Sequence, residues 1–221
     1  MSHILLKNIS KIYGYGESKV NALKNIDLEI NQGEMLAIMG RSGSGKSTLL
    51  NILGGLTKMT GGDYYFEDKQ LCFENDKEMS SYRRSHIGFI VQHYALLDDR
   101  TIFENIALPL QYGKNTKEII NIKVNKLLKD LVIEDKRDRY PYELSGGQCQ
   151  RTAIARAIVN DADIILADEP TGALDVKTEE SIMKLFYKLN ENGKTIIIVT
   201  HDKNIADNCN RTIIIDDGEI T

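Results

Sequence analysis

Several short stretches of the chain are apolar at almost every position. They are Glu34-Met35-Leu36-Ala37-Ile38-Met39, Ile87-Gly88-Phe89-Ile90-Val91, Asp163-Ile164-Ile165-Leu166-Ala167-Asp168-Glu169, Thr195-Ile196-Ile197-Ile198-Val199-Thr200 and Arg211-Thr212-Ile213-Ile214-Ile215-Asp216. Runs this short and this continuous predict strands buried on both faces. Ile26-Asp27-Leu28-Glu29-Ile30 alternates instead, as a half-exposed strand does, with Val20-Asn21-Ala22-Leu23 leading into it. His3 to Ile9 and Tyr64-Tyr65-Phe66 read as further strands, and Tyr13 to Glu17, Asn31 to Gly33, Gly61 to Asp63 and Asp217-Gly218 as turns. Ser47 to Leu53, Met79 to His86 and Thr178 to Leu189 carry helical patterns. From about His93 to about Asn160 the strand signal disappears, and Ile120, Val124, Leu127, Leu128 and Leu131 fall on one helical face. The pattern predicts buried strands alternating with helices, hence an α/β fold with a largely parallel sheet, and a helical block spliced between strands.

Chemistry enters where these runs end. Gly40-Arg41-Ser42-Gly43-Ser44-Gly45-Lys46-Ser47-Thr48 follows an apolar strand and opens a helix, and it reads G-x-x-x-x-G-K-[ST]. Its glycines let backbone N–H groups turn toward phosphate oxygens, and the helix N-terminus adds its positive dipole end. Lys46 then reaches the β- and γ-phosphates, and Ser47 offers a hydroxyl to Mg²⁺. Asp168 ends another apolar run and is a second candidate ligand for that metal, with Glu169 next to it placed to polarise an attacking water. Leu144-Ser145-Gly146-Gly147-Gln148 sets two glycines after a serine at a helix start, a second anion-receptive N-terminus that one phosphate loop does not need. His201 follows the run ending at Thr200, and Gln92 the run ending at Val91. Ligands of parallel sheets bind beyond the C-terminal ends of the strands, so the order of these residues predicts one shared edge. Tyr13, taken alone, reads as a packed surface tyrosine, although a flat ring there is also able to stack on an adenine.

Composition narrows the partners. The 221 residues allow one domain with a sizeable core. A net charge of −4, with no block of Lys and Arg, argues against nucleic acid. No apolar run approaches the roughly 18 residues of a membrane span, and the N-terminus lacks the pattern of a secretory signal. Cys72, Cys149 and Cys209 are odd in number and widely spaced, which predicts reduced thiols in cytosol.

With these residues in place, the chain resembles, over essentially its whole length, the nucleotide-binding subunit of an ABC transporter. The resemblance implies an α/β P-loop NTPase core with a mostly parallel sheet, an N-terminal antiparallel β-subdomain and an inserted helical subdomain. It implies a single domain over 1–221, with the RecA-like core and β-subdomain in 1–92 and 161–221 and the helical subdomain in 93–160. Leu144 to Gln148 corresponds to the signature motif, through which Ser145, Gly146, Gly147 and Gln148 bind the γ-phosphate of ATP held by the other protomer. The implied assembly is a head-to-tail homodimer around two MgATP. Tyr13 matches the aromatic that stacks on adenine, Gln92 the glutamine that contacts Mg²⁺ and water, Ala173-Leu174-Asp175 the loop crossing the dimer interface, and His201 the switch histidine at the γ-phosphate. The implied function is ATP hydrolysis driving a separate integral membrane permease, with the subunit cytoplasmic and held at the inner face of the cell membrane only through that permease.

Within the family, Leu36 to Thr48, Phe103 to Leu110 and Leu166 to Asp175 resemble the macrolide-exporter and lipoprotein-release branch. Gln92 to Leu97 and Tyr142-Glu143 are similar to subunits assigned to bacteriocin export. That suggests export of, or resistance to, a peptide, antibiotic or lipoprotein. The cell-division ATPase of the same branch, a regulatory motor of an envelope complex, is the alternative. A soluble ATPase acting on DNA or ribosomes is a further one, set back by the absence of a long coiled coil, a zinc module or a tandem cassette. Cys149 stands where the family commonly has glutamine, and a thiol early in a helix is expected to be reactive. The chain ends shortly after Asp217-Gly218, which argues against importers carrying a C-terminal regulatory domain. The permease is expected to dock along Tyr94 to Asp99 and Tyr142-Glu143.

Overall fold

The computed structural model describes residues 2–113 and 115–221, with Glu17 as backbone only. Strands β1 (Ser2–Tyr13) and β2 (Val20–Asn31) form a long hairpin. After β3 (Met35–Met39) and helix α1 (Lys46–Leu53), the chain returns through β4 (Gly61–Phe66) and β5 (Lys69–Gln70) to complete an antiparallel sheet in the order β2-β1-β4-β5. Helix α2 (Asp76–His86) leads into β6 (Ile87–Ile90), and then α3 (Ile102–Gln111), α4 (Lys117–Asp130) and α5 (Gly146–Ile158) follow without a strand among the described residues. The chain resumes with β7 (Ile164–Asp168), α6 (Val176–Glu191), β8 (Thr195–Val199), the short α7 (Lys203–Asp207), β9 (Arg211–Asp216) and β10 (Glu219–Ile220). The second sheet has the order β10-β9-β3-β8-β7-β6 and is parallel except for β10.

The continuous apolar runs are explained by what covers this sheet. Alternate strand residues point to opposite faces. Leu36, Ile38, Ile164, Leu166, Ile197 and Val199 pack with α1 and the antiparallel sheet. Met35, Ile165, Ala167, Ile196 and Ile198 pack with the helices of the other face. Two apolar faces per strand leave no polar position to mark the alternation.

Helix starts follow their caps. Asn75, Thr101, Thr116, Ser145, Asp175 and Asp202 each accept a backbone N–H of the helix they precede. Helix α1 is different: Gly45 precedes it and no side chain caps it. Val124 and Leu128 of α4 are buried as the helical spacing predicts, with Leu131 just beyond.

Three elements differ from the pattern. Tyr13 is the last residue of β1, paired with Val20, and not part of the turn. β2 runs unbroken from Val20 to Asn31, because irregular pairing with β1 carries it through the polar Lys24-Asn25 step. Strand β10 is two residues long, too short for any periodicity.

Candidate functional site

The phosphate loop leaves β3 at Met39 and enters α1 at Lys46. A side chain at Gly40 (φ 146°) runs into the Ile215 carbonyl, and one at Gly45 (φ 110°) meets the Ala22 carbonyl at 2.5 Å. Both positions need glycine for φ and for space. Arg41 and Ser42 are exposed on the loop. The Gly43 side has open space where a Cβ would stand. Lys46 lays its ammonium back over the loop, donating to the carbonyls of Gly40 (2.9 Å) and Arg41 (2.7 Å). The Ser44 hydroxyl is buried and has no partner. A buried hydroxyl without a partner, an uncapped helix N-terminus carrying Ser47 and Thr48, and a cradle free of side chains are what an anion with several oxygens satisfies.

Strand register brings the other residues to the same edge. Ile38 pairs with Val199, Val199 with Asp168, and Ala167 with Ile90. Gly40, His201, Glu169 and Gln92 therefore leave neighbouring strands at their C-terminal ends. The exposed Gln92 stands two residues past Ile90, level with Glu169 past Ala167. Burial pushes the Asp168 carboxyl up, Glu169 adds to that, and the Ser47 hydroxyl and Lys46 pull against it. Asp168 thus faces the loop on its Ser47–Lys46 side. Glu169 takes a left-handed backbone (φ 47°), a strained form found at functional sites, and its N–H donates to the Val199 carbonyl. Its carboxylate meets His201 Nδ1 at 2.8 Å. That bond raises the His201 pKa, its charge adding to the effect, while the imidazole stays mostly exposed.

The signature segment has other neighbours. The Ser145 hydroxyl accepts from Gln148 N, and Gln148 Oε1 accepts from Ser145 N, a closed capping box. A Cβ at Gly146 meets the Tyr94 hydroxyl at 2.9 Å and Leu174 at 3.3 Å, and one at Gly147 meets Thr178 at 2.5 Å. These contacts set the signature beside the Ala173–Asp175 loop. Tyr13 is 42% exposed, with the Lys11 ammonium 4.7 Å from its ring centre. Its hairpin touches the phosphate loop where Ala22 meets Gly45.

The expectation of a reactive Cys149 is overturned. The thiol is buried, and burial, then the Asp98 charge, raises its pKa. Desolvation outweighs a helix dipole whose first turn the capping box already occupies. All three cysteines are free.

The stretch expected to dock the permease, Tyr94 to Asp99, is joined through Arg156 to a neighbouring groove. That groove, of about 560 Å³, is lined by Ser80, Arg83 and Arg84 of α2, Phe89 of β6, Pro109 and Tyr112 around the end of α3, and Arg156 of α5. Tyr94 to Asp99 run beside it, mostly exposed. Arg156 donates to the carbonyls of Tyr94 and Ala95, and the buried Asn105 amide bonds to Leu97 from both sides. The pattern reading missed Arg156 and Asn105, because side chains that hold remote backbone leave no periodic mark. Asn105 lies inside the Phe103–Leu110 stretch, the one signal available for it.

Fold and edge together define a P-loop nucleoside-triphosphatase cassette. The profile of the ABC transporter family matches residues 23–172, and the chain belongs to that family. The macrolide export ATP-binding/permease protein MacB of Neisseria meningitidis serogroup A is 48% identical over 221 residues, covering all of this chain and 34% of that protein. MacB of Mannheimia succiniciproducens is 47% identical with the same coverage. The chain thus spans about a third of the length of the curated relatives it matches. Among solved structures, the dimeric post-hydrolysis state of the ATP-binding cassette MJ0796, bound to ADP and Pi, matches with TM-score 0.90 at 46% identity, covering 98% of this chain and 96% of that one. CbiO1 of Clostridium perfringens, part of the CbiONQ transporter complex, matches with TM-score 0.88 at 30% identity over 100% of this chain and 87% of its own.

Proposed function

We propose that this chain is the ATP-hydrolysing motor of a transporter, working as a pair around two MgATP and driving an integral membrane permease. The observation that carries the reading is the uncapped start of α1, with the unpartnered Ser44 hydroxyl beneath it, on the edge that also holds Asp168, Glu169 and His201.

In this reading residues 40–48 cradle the phosphates, and Lys46 exchanges its two carbonyl partners for β- and γ-phosphate oxygens. Ser47, Asp168 and Gln92 would hold Mg²⁺. Among the described residues no group of three or more His, Cys, Asp and Glu is placed to cage a metal, which suits an ion held mainly by phosphate oxygens and water. Held there, Mg²⁺ would supply neutralisation of the charge developing on the transferred phosphoryl group. Glu169 takes the proton of the attacking water at its carboxylate, and His201 gives up its Glu169 contact to reach the γ-phosphate. Tyr13 stacks on adenine with Lys11 steadying its ring.

Ser145, Gly146, Gly147 and Gln148 serve the nucleotide of a second copy. The Ser145 oxygen already accepts one bond, which leaves its O–H free to donate. Residues 93–160 act as a helical subdomain that moves against the core formed by 1–92 and 161–221.

No described helix is long and apolar enough to cross a membrane, so force passes to another polypeptide or another part of a longer one. The arginine-rimmed groove suits a short apolar helix with acidic flanks. The relatives named for macrolide export support export of a macrolide-like antibiotic. Peptide or lipoprotein cargo, and a place on the inner face of the cell membrane, rest on the sequence resemblance alone. Nucleic acid has no part in this reading.

Glu169→Gln tests the chemistry. The variant should bind MgATP with wild-type affinity and lose about 10²-fold or more in turnover. Hydrolysis at the wild-type rate would remove Glu169 from the role of base.

A further inference from the structure

The turn directly after Gln92 is held in a conformation its residues do not favour. His93 (φ 61°), Tyr94 (φ 65°) and Ala95 (φ 45°) are three consecutive left-handed residues, and none is glycine. Single non-glycine residues enter this region, but runs of them are costly and persist only when surrounding structure imposes them. Within the turn, Tyr94 N–H donates to the Val91 carbonyl at 3.2 Å and Ala95 N–H to the His93 carbonyl at 2.7 Å. The remaining restraint comes from far along the chain. One guanidinium, that of Arg156, donates to the carbonyls of Tyr94 (2.9 Å) and Ala95 (2.7 Å). Two parallel donors on consecutive carbonyls fix both the position and the plane of the turn, which a single lysine ammonium does not do.

We propose that Arg156 is a positioning residue: it imposes the left-handed turn at residues 93–95 and thereby sets where the Gln92 amide stands at the strand-end site. The inference rests on the role given to Gln92 above. It has a geometric corollary. Arg156 is also a wall of the groove between α2, β6 and α5, so the turn is held from the face where the permease is proposed to dock.

Glycine provides the test, because it adopts positive φ without restraint. In the purified full chain, Arg156→Met should lower kcat roughly tenfold, as expected for a misplaced site group. KM for MgATP should stay within about twofold, since the phosphate loop binds the nucleotide. Adding Ala95→Gly to Arg156→Met should recover at least about threefold of the loss, because the turn then persists without its clamp. Arg156→Lys should fall between, since one ammonium replaces the paired donors. A purely structural Arg156 would show no rescue by a glycine in a separate loop.

Wild-type kcat in Arg156→Met, or a loss that Ala95→Gly leaves untouched, overturns the proposal. Where Arg156→Met does not fold, the Arg156→Lys pair with and without Ala95→Gly is read in the same way. Unfolding of both overturns the proposal too, because Arg156 then supports the domain and not the turn. Gln92→Ala, assayed alongside, separates the layers. A slow Gln92→Ala beside an unaffected Arg156→Met sinks the clamp alone, whereas a wild-type Gln92→Ala removes the role of Gln92 and, with it, the consequence claimed for the clamp.

Discussion

At the end of β8, one hydrogen bond between His201 and Glu169 governs a charge state that can be measured. The exposed imidazole has a raised pKa because the carboxylate beside it favours the protonated ring. The sign follows from the shift. Stability from the contact is fully present below the unfolded histidine pKa of about 6.5 and is lost as pH rises through the higher folded value. NMR titration of the His201 ring should give a midpoint above 6.5, and Glu169→Gln should return it toward that value. An unchanged midpoint in Glu169→Gln would show that another group sets the shift. Asp168 has the opposite character: burial raises its pKa, so its charge weakens the fold above that pKa, a cost that the Mg²⁺ of the proposed site would offset.

At the scale of elements, α3 does more than fill space. Its Asn105 is fully buried, accepts from Leu97 N–H at 2.8 Å and donates to the carbonyls of Leu97, Arg100 and Thr101 at 3.0 to 3.1 Å. The helix therefore builds the second half of the loop that begins at Gln92, as Arg156 builds the first. Asn105→Ala leaves these backbone groups short of partners and should cost about 3 kcal/mol. For a domain of this size that lowers Tm by roughly 10 °C. Calorimetry checks it, and a loss under about 1 kcal/mol would mean that water replaces the amide.

For the whole molecule, the phosphate loop lies at the start of α1, while the signature lies at the start of α5 against Tyr94, Leu174 and Thr178. In the proposed pairing, a second copy in head-to-tail orientation would bring the signature, through the free Ser145 O–H, to the nucleotide held at the start of α1. Glu169→Gln should approximately double in mass by light scattering when MgATP is added and remain monomeric with MgADP, since only ATP offers the γ-phosphate to the signature. A mass that ignores the nucleotide would sever the signature from the nucleotide site.

The sequence by itself determined the strands of the parallel sheet, the helical stretch between β6 and β7, and the place of each motif. These are local: apolar runs, helical spacing and glycines that turn a loop are written in neighbouring residues. Even Gln92, Asp168, Glu169 and His201 were legible as strand-end residues. Tertiary structure decided the strand register that realises the predicted shared edge, the membership of Tyr13 in β1, and the burial of Cys149. It also decided that the loop after Gln92 packs back against α5, leaving a groove walled by α2, β6 and Arg156. Each of these depends on a remote partner, whether a paired strand, a covering helix or a guanidinium reaching 61 residues back to Ala95. Such partners meet only when the chain is folded, and no spacing in the sequence records them.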